Sequence, residues 1–389
     1  MFVRTHDFCS NPSTWCHIQC GAQEVTMFEP SFEFVFPAIR GIQAGSEYYV
    51  SMCPLKLLPR IFRFDDEDLS PELRAQRTLN VGRIPVMADY IVRNRDSYVF
   101  SAITASIDGD VRFEPMGTSG EASRIGALRI GLDAQFIIND GQHRRAAIEA
   151  ALKEDPSLAD ESISVVFFLD QGLARSQQMF TDLNQNQVKA SKSLAIAYDQ
   201  RDKSAAVARA VASKSKAFKG IVDMEQNKLG KRSRKLFTLS AIHQATHALF
   251  SNWESIDITK ATREACRFWN EVDNVIPEWK LVRLSKLTAG EVREDFIHSH
   301  AVTLHALGLV GKTLLEKNYD LKQSLSGLLT LDWLRQNAEI WEGRALIAGR
   351  IQKTSNTTLL TATLIKQHLD LPLSEGEEQA EYLFRKGKA

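Results

Sequence analysis

The chain has 389 residues, with 48 basic and 48 acidic side chains, 44% hydrophobic and 25% charged residues. This is an ordinary globular composition with room for two or three domains, and it excludes a disordered chain, a collagen-like repeat and a disulfide scaffold. Because the charges cancel, any contact with nucleic acid has to come from a local basic patch. No window approaches the roughly 18 apolar residues of a membrane helix, and the opening MFVRTHDFCSNPSTWCHIQCG has no apolar secretory stretch, which points to a cytoplasmic protein without membrane contact.

The five cysteines, an odd number, read as reduced thiols. Cys9, Cys16, Cys20 and Cys53 crowd the N-terminus but lack the paired C-x-x-C spacing of a zinc site, so no metal is assigned. Residues 1–26 read as a poorly ordered extension, and the folded domain is expected from Met27. From Ser31 to Val50, aromatic and β-branched residues punctuated by Gly and Pro predict strands joined by turns. The acidic run Asp65 to Asp68 with Ser70-Pro71-Glu72 predicts a helix start, continuing through Arg77. Pro85 to Arg95 predicts a short helix and Tyr98 to Ile107 a strand. Leu128–Ile130 and Phe136–Ile138 read as an apolar strand pair that breaks at Asn139-Asp140-Gly141, and Gln142 to Leu152 as the helix that follows. Ile163 to Leu169 predicts a buried strand, and Leu173 to Leu183 a helix. Beyond about residue 190 strand signals fade, and helical patterns take over at 191–217, 238–250, 258–272, 291–316, 330–348 and 358–369. The expected fold class is α+β: a mixed domain over 27–190, an α-helical domain over 191–372 and a polar tail over 373–389.

Two motifs carry chemistry. Asp140-Gly141-Gln142-His143-Arg144-Arg145 lies where a strand hands over to a helix. Glycine permits the tight turn, the N–H groups of the first helical turn favour an anion, and His143, Arg144 and Arg145 add donors, so a phosphate would fit. The plainer alternative is that Asp140 caps the helix and the arginines are solvated. The second motif is the amide-rich stretch Asn184-Gln185-Asn186-Gln187-Val188-Lys189 before a Ser191 cap. Its side chains suit a base, a ribose or a phosphate, or simply a hydrogen-bonded connection between helices.

A third feature is electrostatic. Lys214, Lys216, Lys219, Lys228, Lys231, Arg232, Arg234 and Lys235 stand against Asp223 and Glu225, eight basic against two acidic residues within 213–235. Such a cluster neutralises duplex phosphates, with a salt slope of about −0.9 per contact, or is a solvated basic loop. Other spacings point nowhere: His243 and His247 lack the glutamate of H-E-x-x-H, Cys266 sits in an apolar helical pattern, and Gly308 to Thr313 lacks the first glycine of a Walker loop and reads as helix surface.

The text Ile137-Ile138-Asn139-Asp140-Gly141-Gln142-His143-Arg144, then Phe180-Thr181-Asp182-Leu183-Asn184, with the opening FEFVFPAIRGIQ, resembles the DGQHR-domain proteins and, more closely, the DndB family of DNA phosphorothioation clusters. The resemblance covers roughly 27–370. It implies a repressor that binds double-stranded DNA at the promoter of its own sulfur-modification operon and works beside other DNA sulfur-modification proteins. The DGQHR element is also distantly similar to ParB-like proteins, which implies a ParB-like mixed domain in which Asp140 to Arg145 hold a DNA phosphate or a nucleotide such as ATP with Mg²⁺, with Asn184, Gln185, Asn186 and Lys189 lining the same cleft. A homo-oligomer suits a repressor. Two rivals stand beside it: a nucleotide hydrolase or DNA nickase with Asp140 and His143 as catalytic residues and Asp182 as a further metal carboxylate, and an interaction subunit of the modification machinery.

Overall fold

Along EFVFPAIRG every second side chain turns inward, burying Phe36 and Ala38 while Val35, Pro37 and Ile39 face out. This strand, β1 (Glu33–Gln43), turns at Ala44-Gly45, both with left-handed backbone, into β2 (Ser46–Pro54). The computed structural model describes residues 33–62, 80–169, 178–179, 181–183 and 190–388. The chain divides into two units, 1–187 and 188–389.

The first unit holds, after β2, the helices α1 (Leu58–Ile61) and α2 (Arg83–Arg93), strands β3 (Ile103–Asp108), β4 (Val111–Pro115), β5 (Ile125–Gly131) and β6 (Gln135–Asp140), helix α3 (Gln142–Glu154) and strand β7 (Ser162–Leu169). These form one seven-stranded sheet in the order β4-β5-β1-β2-β7-β3-β6, antiparallel throughout except where β3 runs parallel to β7. Phe36, Leu128, Ile130, Ile103, Val165 and Phe167 of the sheet make one core with Ala88 and Ile91 of α2 and Ile148 and Ala151 of α3. Each large apolar side chain so buried contributes about 1.5–3 kcal/mol.

The two apolar strands expected to pair do not. β5 lies between β4 and β1, and β6 pairs with β3 at the sheet's edge. Both runs are strands, but partner choice is set by the buried face each must cover and not by closeness in sequence. The strand expected from Tyr98 begins only at Ile103. Tyr98 is drawn off by a hydrogen bond from its hydroxyl to Glu161 Oε2, 2.5 Å. The helices expected near 65–77 and 173–183 lie outside the described residues, apart from helical turns at 178–179 and 181–183.

The second unit is built from α4 (Lys192–Tyr198), α5 (Lys203–Lys214), β8 (Val222–Asp223), β9 (Phe237–Thr238), α6 (Leu239–His247), α7 (Ile258–Val275), α8 (Pro277–Arg283), α9 (Ala289–Asp295), α10 (Ala301–Glu316), α11 (Leu321–Leu325), α12 (Ala338–Trp341), β10 (Leu346–Ile347), β11 (Arg350–Ile351), α13 (Ser355–His368) and α14 (Glu375–Lys388). Its single core runs from Val207 to Leu371 around Phe218, Phe237, Trp269 and Trp279.

Several expected helices are broken by side chains that bond the backbone. Asp199 accepts from the N–H groups of Arg201 and Asp202, and Asp202 caps α5, which splits 191–217 in two. Within 291–316 the chain leaves the helix at Phe296, which bridges Leu334, while Ile297 donates its N–H to Trp333. The stretch 330–348 keeps only the four-residue α12, with the rings of Trp333 and Trp341 stacked 5.5 Å apart. Gly308 and Gly311 are buried, not helix surface. A Cβ at Gly308 would stand 2.1 Å from the Ala245 carbonyl oxygen, so these glycines let α10 close onto α6. The segment expected as a polar tail is the helix α14, because its charges find buried partners: Glu377 with Lys366 and Glu381 with Arg344, each pair at 2.7 Å.

Candidate nucleic-acid interface

In the first unit, β6 ends at Asp140, Gly141 takes φ +113°, and α3 starts at Gln142. The left-handed value and the closeness of Ile103 Cγ1, 3.1 Å from where a Cβ would lie, are what require glycine here. Asp140 does not cap α3. Its Oδ2 accepts from Arg144 Nη2 at 2.9 Å, and the same nitrogen donates to the Ala102 carbonyl at 3.1 Å. Gln142 Nε2 donates back to the Ile138 carbonyl, and the buried Arg145 pairs with Glu149 at 2.9 Å. His143 Nε2 accepts the N–H of Asn80 at 2.9 Å, and burial, Arg83 and Arg144 all hold its pKa below the ordinary histidine value. His143 is therefore neutral at pH 7, with its Nε2 lone pair already committed.

The turn thus spends its side chains on its own geometry. Asn139, buried beneath it, donates to Ser106 Oγ at 2.7 Å and fixes β6 against β3. What the turn leaves open is backbone: among the described residues no side chain caps α3, and the N–H groups of its first turn lie at the positive end of a 13-residue helix. Asp182 accepts from Gln178 Nε2 at 2.7 Å. The amide-rich stretch of Asn184, Gln185, Asn186 and Lys189 lies outside the described residues. Among the described residues no three His, Cys, Asp or Glu side chains gather as a metal site.

The basic segment of the second unit is built differently. Its two ends are anchored by Phe218 and Phe237, whose rings meet edge to face at 5.4 Å within the Trp269–Trp279 cluster. Val222 and Phe237 pair across β8 and β9 and close its base. Between these anchors Lys219, Lys228, Lys231, Arg232 and Arg234 are exposed, as are Lys214 at the end of α5 and Lys216 just before Phe218. None of these seven makes an ion pair or a side-chain hydrogen bond among the described residues. Lys235 is the exception, donating to the Gly220 carbonyl at 2.9 Å.

One residue that sequence reasoning did not single out holds this loop. Arg293 of α9 donates to the carbonyls of Gly230 at 2.9 Å, of Lys231 and Ser233 at 3.4 Å, and of Lys235. Gly290, one turn earlier, lets α9 approach until a Cβ would stand 2.7 Å from the Lys231 carbonyl oxygen. The loop carbonyls face the guanidinium and the loop cations face water. Nothing local in the sequence marks Arg293, since its partners lie about 60 residues upstream.

Among the other histidines, His243 Nε2 and Ser204 Oγ are 2.8 Å apart, and His298 is buried against Trp279 and Glu278. Cys266 is half-buried, and burial raises its thiol pKa.

Among the described residues no helix is long and apolar enough to cross a membrane. Comparison with known proteins gives one family: the DndB model, described as DNA-sulfur modification-associated, matches residues 36–372. No curated protein and no solved structure gives a match. With nearly its whole length matched, the chain belongs to the DndB family of DNA-sulfur modification-associated proteins.

Proposed function

We propose that the chain is a DNA-binding regulator of a DNA phosphorothioation operon, a repressor that grips the duplex backbone through the 213–235 segment. The observation that carries this reading is the set of seven exposed cations, without counter-ions among the described residues, on and beside a loop that Phe218, Phe237 and Arg293 hold in place. Unpaired cations on a fixed frame meet phosphates without first breaking internal ion pairs, and each contact releases counterions from the duplex. Phosphate contacts position a protein without reading sequence, so promoter preference would come from base or shape readout elsewhere, helped by a homo-oligomer on paired half-sites. The strand, left-handed glycine and uncapped helix of the ParB-like element supply a second phosphate seat made of backbone N–H groups.

The test is binding of the full chain to its own operon's promoter and to an unrelated duplex of equal length, across a salt series, with and without ATP and Mg²⁺. Promoter preference supports the repressor. Charge reversal of Lys231, Arg232 and Arg234 is expected to weaken binding to both duplexes and to flatten the salt slope by about 0.9 for each phosphate that is no longer neutralised. Lys235 is left intact because it ties the loop to Gly220. An unchanged slope would overturn the assignment.

The uncapped α3 N-terminus also favours a second reading, nucleotide hydrolysis at the DGQHR turn. The turn fits a phosphate group, and its candidate metal carboxylates each accept a hydrogen bond on one oxygen, Asp140 from Arg144 and Asp182 from Gln178. Metal-dependent turnover that Asp140→Ala abolishes would move the assignment to this reading.

A further inference from the structure

Two further lysines of the second unit, Lys192 and Lys353, lie outside the basic segment but are tied to it by hydrogen bonds of their neighbours. Ser193, near the start of α4, donates its N–H to Asn227 Oδ1 at 3.0 Å and its hydroxyl to the Gln226 carbonyl at 2.8 Å, while Ser191 Oγ donates to the Glu225 carbonyl. This seam places Lys192 beside the loop. On the other side, Ser193 Oγ accepts the N–H of Ser240 at 3.2 Å. One turn along the same face of α6 lies Gln244, whose side-chain oxygen accepts from Lys353 Nζ. Hydrogen bonds of Ser193, the neighbour of Lys192, therefore join the start of α4 to the basic loop and to Ser240, and one turn of α6 carries this seam to Gln244 and Lys353, all within the second unit.

Neither lysine has a carboxylate within 4 Å among the described residues, and both side chains are exposed. The Lys353 amine is nonetheless desolvated by the surrounding protein and opposed by Lys192, which bring its pKa down to about 8. His305 is held neutral, with a pKa of about 4, by burial first and then by Lys353 and His247. Its buried Nδ1 has no hydrogen-bond partner among the described residues. The Lys353 charge is thus opposed by Lys192 and offset by no carboxylate within 4 Å of either lysine among the described residues, an arrangement that an anion would stabilise.

We propose that Lys192 and Lys353, with Gln244 positioning the latter amine, form a phosphate subsite that extends the grip of the basic loop to a further DNA backbone phosphate. This rests on the reading of 213–235 as a DNA surface, and its test separates the two. Duplex affinity of the full chain is measured over a salt series for the wild type, for K192Q/K353Q, for K353R, and for the Lys231, Arg232 and Arg234 reversal. In parallel, Tm is measured in millimolar inorganic phosphate against chloride at equal ionic strength.

The expected result is a slope smaller by about 1.8 in K192Q/K353Q, about 0.9 per lysine, with K353R restoring its share. If the loop reversal flattens the slope and K192Q/K353Q does not, the loop reading stands and the DNA subsite is overturned. If the wild type shows no salt-dependent DNA binding, the loop reading falls. In either case, a phosphate-dependent rise in Tm that K192Q/K353Q abolishes assigns the pair to free phosphate, and equal Tm values in the two proteins overturn the subsite altogether.

Discussion

Arg144, in the first turn of α3, and Lys231, on a loop, are both cations of basic motifs, and they are held in opposite ways. Arg144 is mostly buried, reaches Asp140 and the Ala102 carbonyl, and serves to shape the DGQHR turn. Lys231 is exposed, its side chain bonds nothing among the described residues, and it is its backbone carbonyl that Arg293 holds. A basic motif in sequence therefore means two different things. In the first unit the charge is spent on conformation, and the recognition capacity left over is the backbone of α3. In the second unit the conformation is secured by Arg293 and the aromatic anchors, and the charge is left for a partner.

If this contrast is right, the DGQHR turn is sensitive in stability and the basic loop is not. The largest effect is expected at Gly141. Gly141→Val puts a branched side chain at φ +113°, with its Cβ 3.1 Å from both Ile103 Cγ1 and Arg144 Nη2. Strain of 1–3 kcal/mol from the backbone and a similar overpacking cost add to roughly 3 kcal/mol or more. Chemical denaturation of the variant should show the first unit lost at a lower midpoint. A midpoint within error of the wild type would mean that the turn is not conformationally constrained and that the contrast fails.

Acid separates the two units next. His300 and His305 are both held near a pKa of about 4, burial being the largest cause in each. Their folded values lie below the unfolded value of about 6.5, so the unfolded chain binds more protons and stability rises with pH. The contribution is complete above pH 6.5 and is lost as pH falls toward 4. Between pH 7.5 and 5.5 each histidine should cost about 1.3 kcal/mol. The second unit should then lose several degrees in Tm on that shift, and His300→Gln and His305→Gln should each reduce the pH dependence. A Tm independent of pH over this range would show that these imidazoles titrate as solvated groups.

Much of the fold is legible in the sequence. The break from apolar strand to Asp140-Gly141 to helix is local chemistry, as is the density of lysine and arginine at 213–235, and both lie where the sequence puts them. The aromatic and β-branched runs at 33–54 and 162–169 are strands for the same reason. What sequence does not reveal is non-local. Nothing in β5 and β6 says that each pairs elsewhere, nothing in 291–316 says that Trp333 will capture the Ile297 N–H, and nothing near Arg293 announces four carbonyls from a loop 60 residues away. Gly308 misleads in the other direction, since a glycine in a helical pattern looks like a tolerated surface residue until a second helix is packed against it.

The smallest expected change in stability is the one that sharpens the contrast most. Neutralising Lys231, Arg232 and Arg234 to Gln removes three exposed charges whose side chains pair with nothing among the described residues, so Tm should stay within the change that about 0.5 kcal/mol produces, and mutual repulsion among neighbours makes a slight rise the expected sign. Arg293→Met provides the counterpart. It keeps every surface cation but removes the donor to four loop carbonyls, hydrogen bonds to a charged group that contribute roughly 1.5–3 kcal/mol where water does not replace them. Hydrogen exchange over 230–235 should quicken in Arg293→Met and stay unchanged in the triple Gln variant, while duplex affinity falls in both. A drop in affinity in the triple variant alone would mean that charge suffices without a fixed frame. A drop in neither would mean that the exposed cations are solvated surface, and the comparison between Arg144 and Lys231 would then describe packing and not recognition.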